Sequence, residues 1–61
     1  PLYDKAVDLV LRERRATISF VQRHLGVGYN RAANLLEAME EARIVSKANS
    51  MGRREILVPE N

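Results

Sequence analysis

The 61-residue sequence predicts a mainly α-helical domain closed by a small C-terminal β-hairpin. Three observations predict it. Apolar residues recur at helical spacing near the start of the chain and again between residues 32 and 39. Gly26 and Gly28 punctuate the stretch between the second and third helical patterns. Beyond residue 43 the pattern changes to two short apolar runs around a polar loop that contains glycine.

Tyr3, Ala6, Val7, Val10 and Leu11 fall at i, i+3, i+4, i+7 and i+8, the apolar face of a first helix. Asp4, Lys5, Asp8 and Arg12 fall mostly on its other side. This helix should end near Arg14 or Arg15, where cations suit the negative end of the helix dipole. Ala16, Thr17 and Ile18 read as a brief extended segment, partly β-branched. Ser19, with Gln22 three residues on, has the form of a capping box and opens a second helix over 20–25. Gly26 stands where a helix C-cap takes a left-handed residue.

Gly28 permits a tight approach into the third helix, which starts near Asn30. Its buried stripe is Ala32, Leu35, Leu36 and Met39. At about 100° per residue the opposite face carries Asn30, Asn34, Glu37 and Glu41, with Arg31 on one flank. Residues 44–47 read as a strand and residues 48–52 as a hairpin loop. Residues 54–58 read as a second strand in which Leu57 weakens the alternation, and Pro59 ends it. Three helices followed by a hairpin form the winged-helix variant of the helix-turn-helix.

Composition bounds the function. Hydrophobic residues at 46% and charged residues at 30% describe a globular chain, not a disordered one. A chain this short buries only about 60% of its unfolded surface, so it holds one domain of marginal stability. With no cysteine, disulfides and thiolate zinc sites are excluded. One histidine makes no convincing metal site, and His24 reads as a surface or turn residue. No apolar run approaches the ~20 residues of a membrane span, and no signal peptide is visible. No phosphate-binding glycine loop, nucleophile–base pair or paired carboxylates suggest an enzyme or a cofactor. The first residue is Pro1, which reads as a piece of something longer.

The net charge of +2 leans mildly towards nucleic acid, and its distribution says more. Cations gather at 12–15, 23–31 and 53–54, and acids at 37–41. Val21, Leu25, Gly26, Val27, Ala32 and Leu35 fill the positions of a helix-turn-helix, with Gln22 where a small residue is usual. The glycine lets two helices cross steeply, so that the second projects into a DNA major groove. A three-helix core without a DNA role, or a protein-binding winged helix, would show similar spacing.

Candidate contacts follow from this frame. Asn30 and Asn34 are suited to bidentate pairing with adenine; capping and plain solvation are their alternatives. Glu37 is placed to accept from cytosine N4, whereas Glu41 lies beyond the groove. Gln22, Arg23 and Arg31 are candidates for phosphates beside the groove. Tyr29 either offers its hydroxyl to a phosphate or packs on the second helix. Asn49, Ser50, Arg53 and Arg54 lie in or beside the hairpin loop, and a basic wing commonly reaches the DNA backbone or minor groove, with Arg53 the better candidate; the alternative is an ordinary solvated hairpin with Arg54 salt-bridged locally.

The block Gly28-Tyr29-Asn30-Arg31-Ala32-Ala33, with Leu35-Leu36-Glu37 and Met39-Glu40 after it, resembles the C-terminal gamma domain of FtsK/SpoIIIE DNA translocases. Leu2-Tyr3-Asp4, Val21-Gln22-Arg23, Arg54-Glu55 and Val58 extend the resemblance over the whole chain. It implies a winged helix that recognises short, polar, G-rich sequences on double-stranded chromosomal DNA and orients loading of the motor. It implies a XerD-type recombinase as a second partner; a rival reading makes recombinase contact the main role, with weak DNA affinity. It implies an ATPase motor elsewhere in the same full-length chain. It also implies a place on the cytoplasmic side of the inner membrane at the division septum. The family's base-reading positions fall on Asn30, Asn34 and Glu37, and position 34 is typically arginine. Residues 1–61 are therefore expected to be a single domain from the C-terminus of a translocase, monomeric by itself, with no metal or cofactor.

Overall fold

The computed structural model describes residues 1–60. Three helices follow one another: α1 (Leu2–Glu13), α2 (Ile18–Leu25) and α3 (Tyr29–Glu41). The sequence expectation of a mainly α domain holds. α2 packs chiefly on α3, and α1 lies against both. The core between them holds Val10 from α1, Phe20 and Val21 from α2, and Leu36 and Met39 from α3. Val45 closes it from the C-terminal segment. No charged or polar side chain is buried among the described residues.

α1 buries Ala6, Leu9 and Val10, so Leu9 joins the predicted face while Leu11 stays half-buried. It ends where predicted. Arg14 takes left-handed dihedrals (φ 58°, ψ 41°) and donates its backbone N–H to the Val10 carbonyl at 2.8 Å. That conformation costs a side-chain-bearing residue about 1 kcal/mol or more. The Arg14 guanidinium offsets part of this by donating to the Val58 carbonyl at 2.8 Å, which ties the end of α1 to the end of the chain.

α2 begins two residues before the expected position. Thr17, extended at φ −90° and ψ 153°, is the N-cap, and its hydroxyl accepts the Phe20 N–H at 3.3 Å. The capping box expected at Ser19 does not form: Ser19 lies inside the helix and faces solvent. The short extended segment expected at residues 16–18 reduces to that cap. Gly26 takes the left-handed conformation as expected (φ 67°), with its N–H on the Gln22 carbonyl at 2.8 Å.

α3 starts at Tyr29 behind an extended Gly28 that has no side chain to cap with. Ala32, Leu36 and Met39 are fully buried, and Leu35 packs on the core from a half-buried position.

The C-terminal segment departs from the expected hairpin. Among the described residues no strand forms. Val45 and Ile56 make an isolated antiparallel bridge, with Ser46 N–H on the Glu55 carbonyl and Leu57 N–H on the Ile44 carbonyl, both at 2.8 Å. An extended ladder needs the reciprocal bonds, and both are diverted. The Glu55 N–H goes to the Ser46 hydroxyl at 2.8 Å, and the Ser46 carbonyl accepts from the Arg54 guanidinium at 3.1 Å. The Ile44 N–H goes to the Met39 carbonyl at the end of α3, at 2.9 Å. Exposure still alternates strictly over residues 54–58, and Leu57 is simply on the outer side, 50% exposed.

Candidate nucleic-acid interface

α3 is amphipathic, and its two faces set the site. Burial of Ala32, Leu36 and Met39 forces Asn30, Asn34 and Glu37 outward, and all three are exposed. Among the described residues none of the three makes a side-chain hydrogen bond or ion pair. Asn30 is the second residue of the helix and Gly28 its cap, so the capping alternative for Asn30 falls away. Glu41 is exposed at the last residue of α3. From Asn30 to Glu37 the helix rises by about 10 Å, close to three base-pair steps of B-form DNA.

Exposed cations stand on α3, on α2 and in the C-terminal loop. Arg31 is exposed in the first turn of α3 and borders a shallow groove with Leu2, Asn34, Leu35 and Ala38. Tyr29 is 62% exposed, so packing on α2 does not account for it. On α2, Arg23 is exposed and Gln22 half-buried. Arg53 is exposed in the C-terminal loop.

The ten cations divide into two sets. Four are engaged within the fold. Arg12 pairs with Asp8 and Glu13, Arg14 holds the Val58 carbonyl, and Arg15 lies over the Phe20 ring at 5.0 Å. Arg54 pairs with Glu40 at 2.8 Å and is only 9% exposed. The other six, Lys5, Arg23, Arg31, Arg43, Lys47 and Arg53, have no ion-pair partner among the described residues. The local salt bridge weighed as the alternative for Arg54 is present, with Glu40 as its partner.

Sequence reasoning passed over Lys47 and Met51. Both are exposed on the C-terminal loop, Met51 to 75%. The available signal was the run 42–54, which carries Arg43, Lys47, Arg53 and Arg54 and no acid. His24 is exposed, as expected of a surface residue; its Nδ1 lies 3.1 Å from the Phe20 carbonyl oxygen, and its ring is tilted 39° to the Phe20 ring with centroids 4.3 Å apart. No group of three metal-ligating side chains gathers among the described residues.

Residues 1–59 match the family model of the Ftsk gamma domain. The chain belongs to that family. Named relatives agree. DNA translocase FtsK 2 of Ralstonia nicotianae is 66% identical over 59 residues, 97% of this chain and 8% of the relative. DNA translocase FtsK of Rhizobium meliloti is 61% identical over 57 residues, 93% of this chain and 6% of the relative. DNA translocase FtsK of Rickettsia typhi is 59% identical over 59 residues, 97% and 8%. The chain thus spans less than a tenth of the length of these translocases. No helix among the described residues is long and apolar enough to cross a membrane.

Proposed function

We propose that this gamma domain binds double-stranded DNA sequence-specifically, as a winged helix whose α3 enters the major groove. Its targets are short, polar, G-rich chromosomal sequences. Binding them sets the direction in which the motor of the full-length translocase loads, during chromosome segregation and cell division at the septal membrane.

One observation carries the reading. Among the described residues, α3 exposes Asn30, Asn34 and Glu37 with no side-chain hydrogen bond or ion pair, and Arg23 on α2, Arg31 on α3 and Arg53 in the C-terminal loop are exposed and without an ion-pair partner. Unused polar groups on one helix face suit base edges, and unpaired cations beside them suit phosphates. In this arrangement Asn30 reads adenine in a bidentate contact and Glu37 accepts from cytosine N4. Arg23, Arg31 and Arg53 hold phosphates, with Gln22 and the Tyr29 hydroxyl as neutral donors beside them. Asn34 is shorter than the arginine usual in the family and favours adenine over guanine, so the preferred site differs there.

The test is fluorescence anisotropy with a G-rich duplex and a scrambled one over a salt series. A preference for the G-rich duplex that Asn30→Ala abolishes is the expected result. Equal, weak binding of both duplexes, together with XerD-type recombinase binding that survives Asn30→Ala, would replace this reading with protein docking.

A further inference from the structure

A shallow groove lies between the first turn of α1 and one flank of α3. Leu2 lines it from α1, and Arg31, Asn34, Leu35 and Ala38 line it from α3. Leu2 and Leu35 are half-buried and give it an apolar floor, and no acid lines it. Ala38 and Arg31 lie about 40° and 60° round α3 from Asn34, on the side away from Glu37. Asn34 therefore belongs both to the base-reading face and to the edge of the groove.

That placement has a consequence for bound DNA. A helix with its side chains is about 10–12 Å across, and the major groove is about 12 Å wide. The flanks of a helix seated there lie against the sugar–phosphate strands. The groove beside α3 is such a flank.

The first turn of α1 brings a further cation to it. Lys5 is exposed and stands three residues after Leu2, about 60° round the helix on its solvent side. Asp8, at i+3 from Lys5, is paired with Arg12, and the adjacent Asp4 does not face Lys5. Lys5 thus keeps no ion-pair partner among the described residues. An apolar floor with unpaired cations on both helices suits a sugar–phosphate strand, with deoxyribose on the floor and phosphates on the cations.

We propose that this groove seats one backbone strand of the bound duplex, and that Lys5 of α1 is a positioning contact to its phosphates, together with Arg31. The proposal deepens the DNA-binding reading and rests on it. A phosphate contact carries no base preference, so Lys5 adds affinity to G-rich and scrambled duplexes alike, while α3 supplies the preference.

Anisotropy titrations of this chain with both duplexes over a salt series provide the test. Lys5→Gln removes a charge at an exposed position, so the melting temperature should hold. The slope of log affinity against log salt should fall by about 0.9 for both duplexes, the share of one phosphate. Ala38 is exposed in the groove and accepts a longer side chain of either charge. Ala38→Lys should tighten both duplexes and Ala38→Glu should loosen both, each about threefold. Duplexes with a neutral methylphosphonate at successive positions separate a seated phosphate from the general field. One placement is expected to weaken binding of the parent and to leave Lys5→Gln unaffected.

If Lys5→Gln keeps the parent slope, or both Ala38 variants weaken binding alike, the proposal is wrong. It is also wrong if every methylphosphonate weakens the parent and Lys5→Gln equally. Base reading by α3 survives either result, provided that Asn30→Ala still abolishes the preference for the G-rich duplex. If neither duplex binds at all, both readings fail.

Discussion

The Arg54 guanidinium lies 2.8 Å from a Glu40 carboxylate oxygen and 3.1 Å from the Ser46 carbonyl, joining the C-terminal segment to the last turns of α3. Arg54 is nearly buried and Glu40 is 41% exposed, so the pair is neither a solvated surface contact nor a fully desolvated one. It also occupies the carbonyl that would extend the antiparallel bridge. One arginine therefore fixes where the loop leaves the helix layer.

Arg54→Ala should cost roughly 2 kcal/mol, because it strips a charged donor from two acceptors. Glu40→Gln keeps an acceptor at the exposed end and should cost roughly 1 kcal/mol or less. Urea denaturation checks both. A loss under about 0.5 kcal/mol for Arg54→Ala would place it with ordinary surface changes and refute the structural role.

Arg53 and Arg54 are neighbours in sequence with opposite expected behaviour towards DNA. Arg53→Ala should reduce the slope of log affinity against log salt by about 0.9, the loss of one phosphate contact. Arg54→Ala, in the fraction that remains folded, should leave the slope unchanged. Equal slopes for the parent and Arg53→Ala would remove Arg53 from the interface.

On α3, Asn34→Arg should strengthen binding to a G-rich duplex by ~1–3 kcal/mol, since arginine pairs bidentately with guanine. Asn30→Ala should abolish the preference between G-rich and scrambled duplexes without changing the melting temperature, because Asn30 is exposed and caps nothing. No gain from Asn34→Arg would mean that position 34 does not face a base.

The start of α2 gives a stability test independent of DNA. Thr17→Ala should cost about 1 kcal/mol by leaving the Phe20 N–H without its cap. Ser19→Ala should change stability by less than about 0.5 kcal/mol, since Ser19 is exposed within the helix. The reverse order would restore the capping box at Ser19.

Much of this molecule is legible in its sequence. The 3.6-residue period fixes which sides of α1 and α3 are buried, and it thereby exposes Asn30, Asn34 and Glu37 before any coordinate is consulted. Gly26 announces the end of α2 because a left-handed residue is cheapest without a Cβ. The block from Gly28 to Ala33 is specific enough to carry the family. These are local signals, decided within a few residues of chain.

What tertiary structure decided depended on competition between partners far apart in sequence. The sequence offers Ser19 as the cap of α2, yet in the fold Thr17 accepts the Phe20 N–H while the Phe20 side chain is buried in the core. Residues 44–47 and 54–58 have strand-like composition, yet the end of α3 takes the Ile44 N–H while Ser46 and Arg54 take the groups of the next rung. Ten cations look alike on paper; Val58 claims Arg14 from 44 residues away, and Glu40 claims Arg54 from 14. Side chains with several acceptors in reach are assigned by the fold, because only the assembled chain sets which acceptor is close and how much water remains around it.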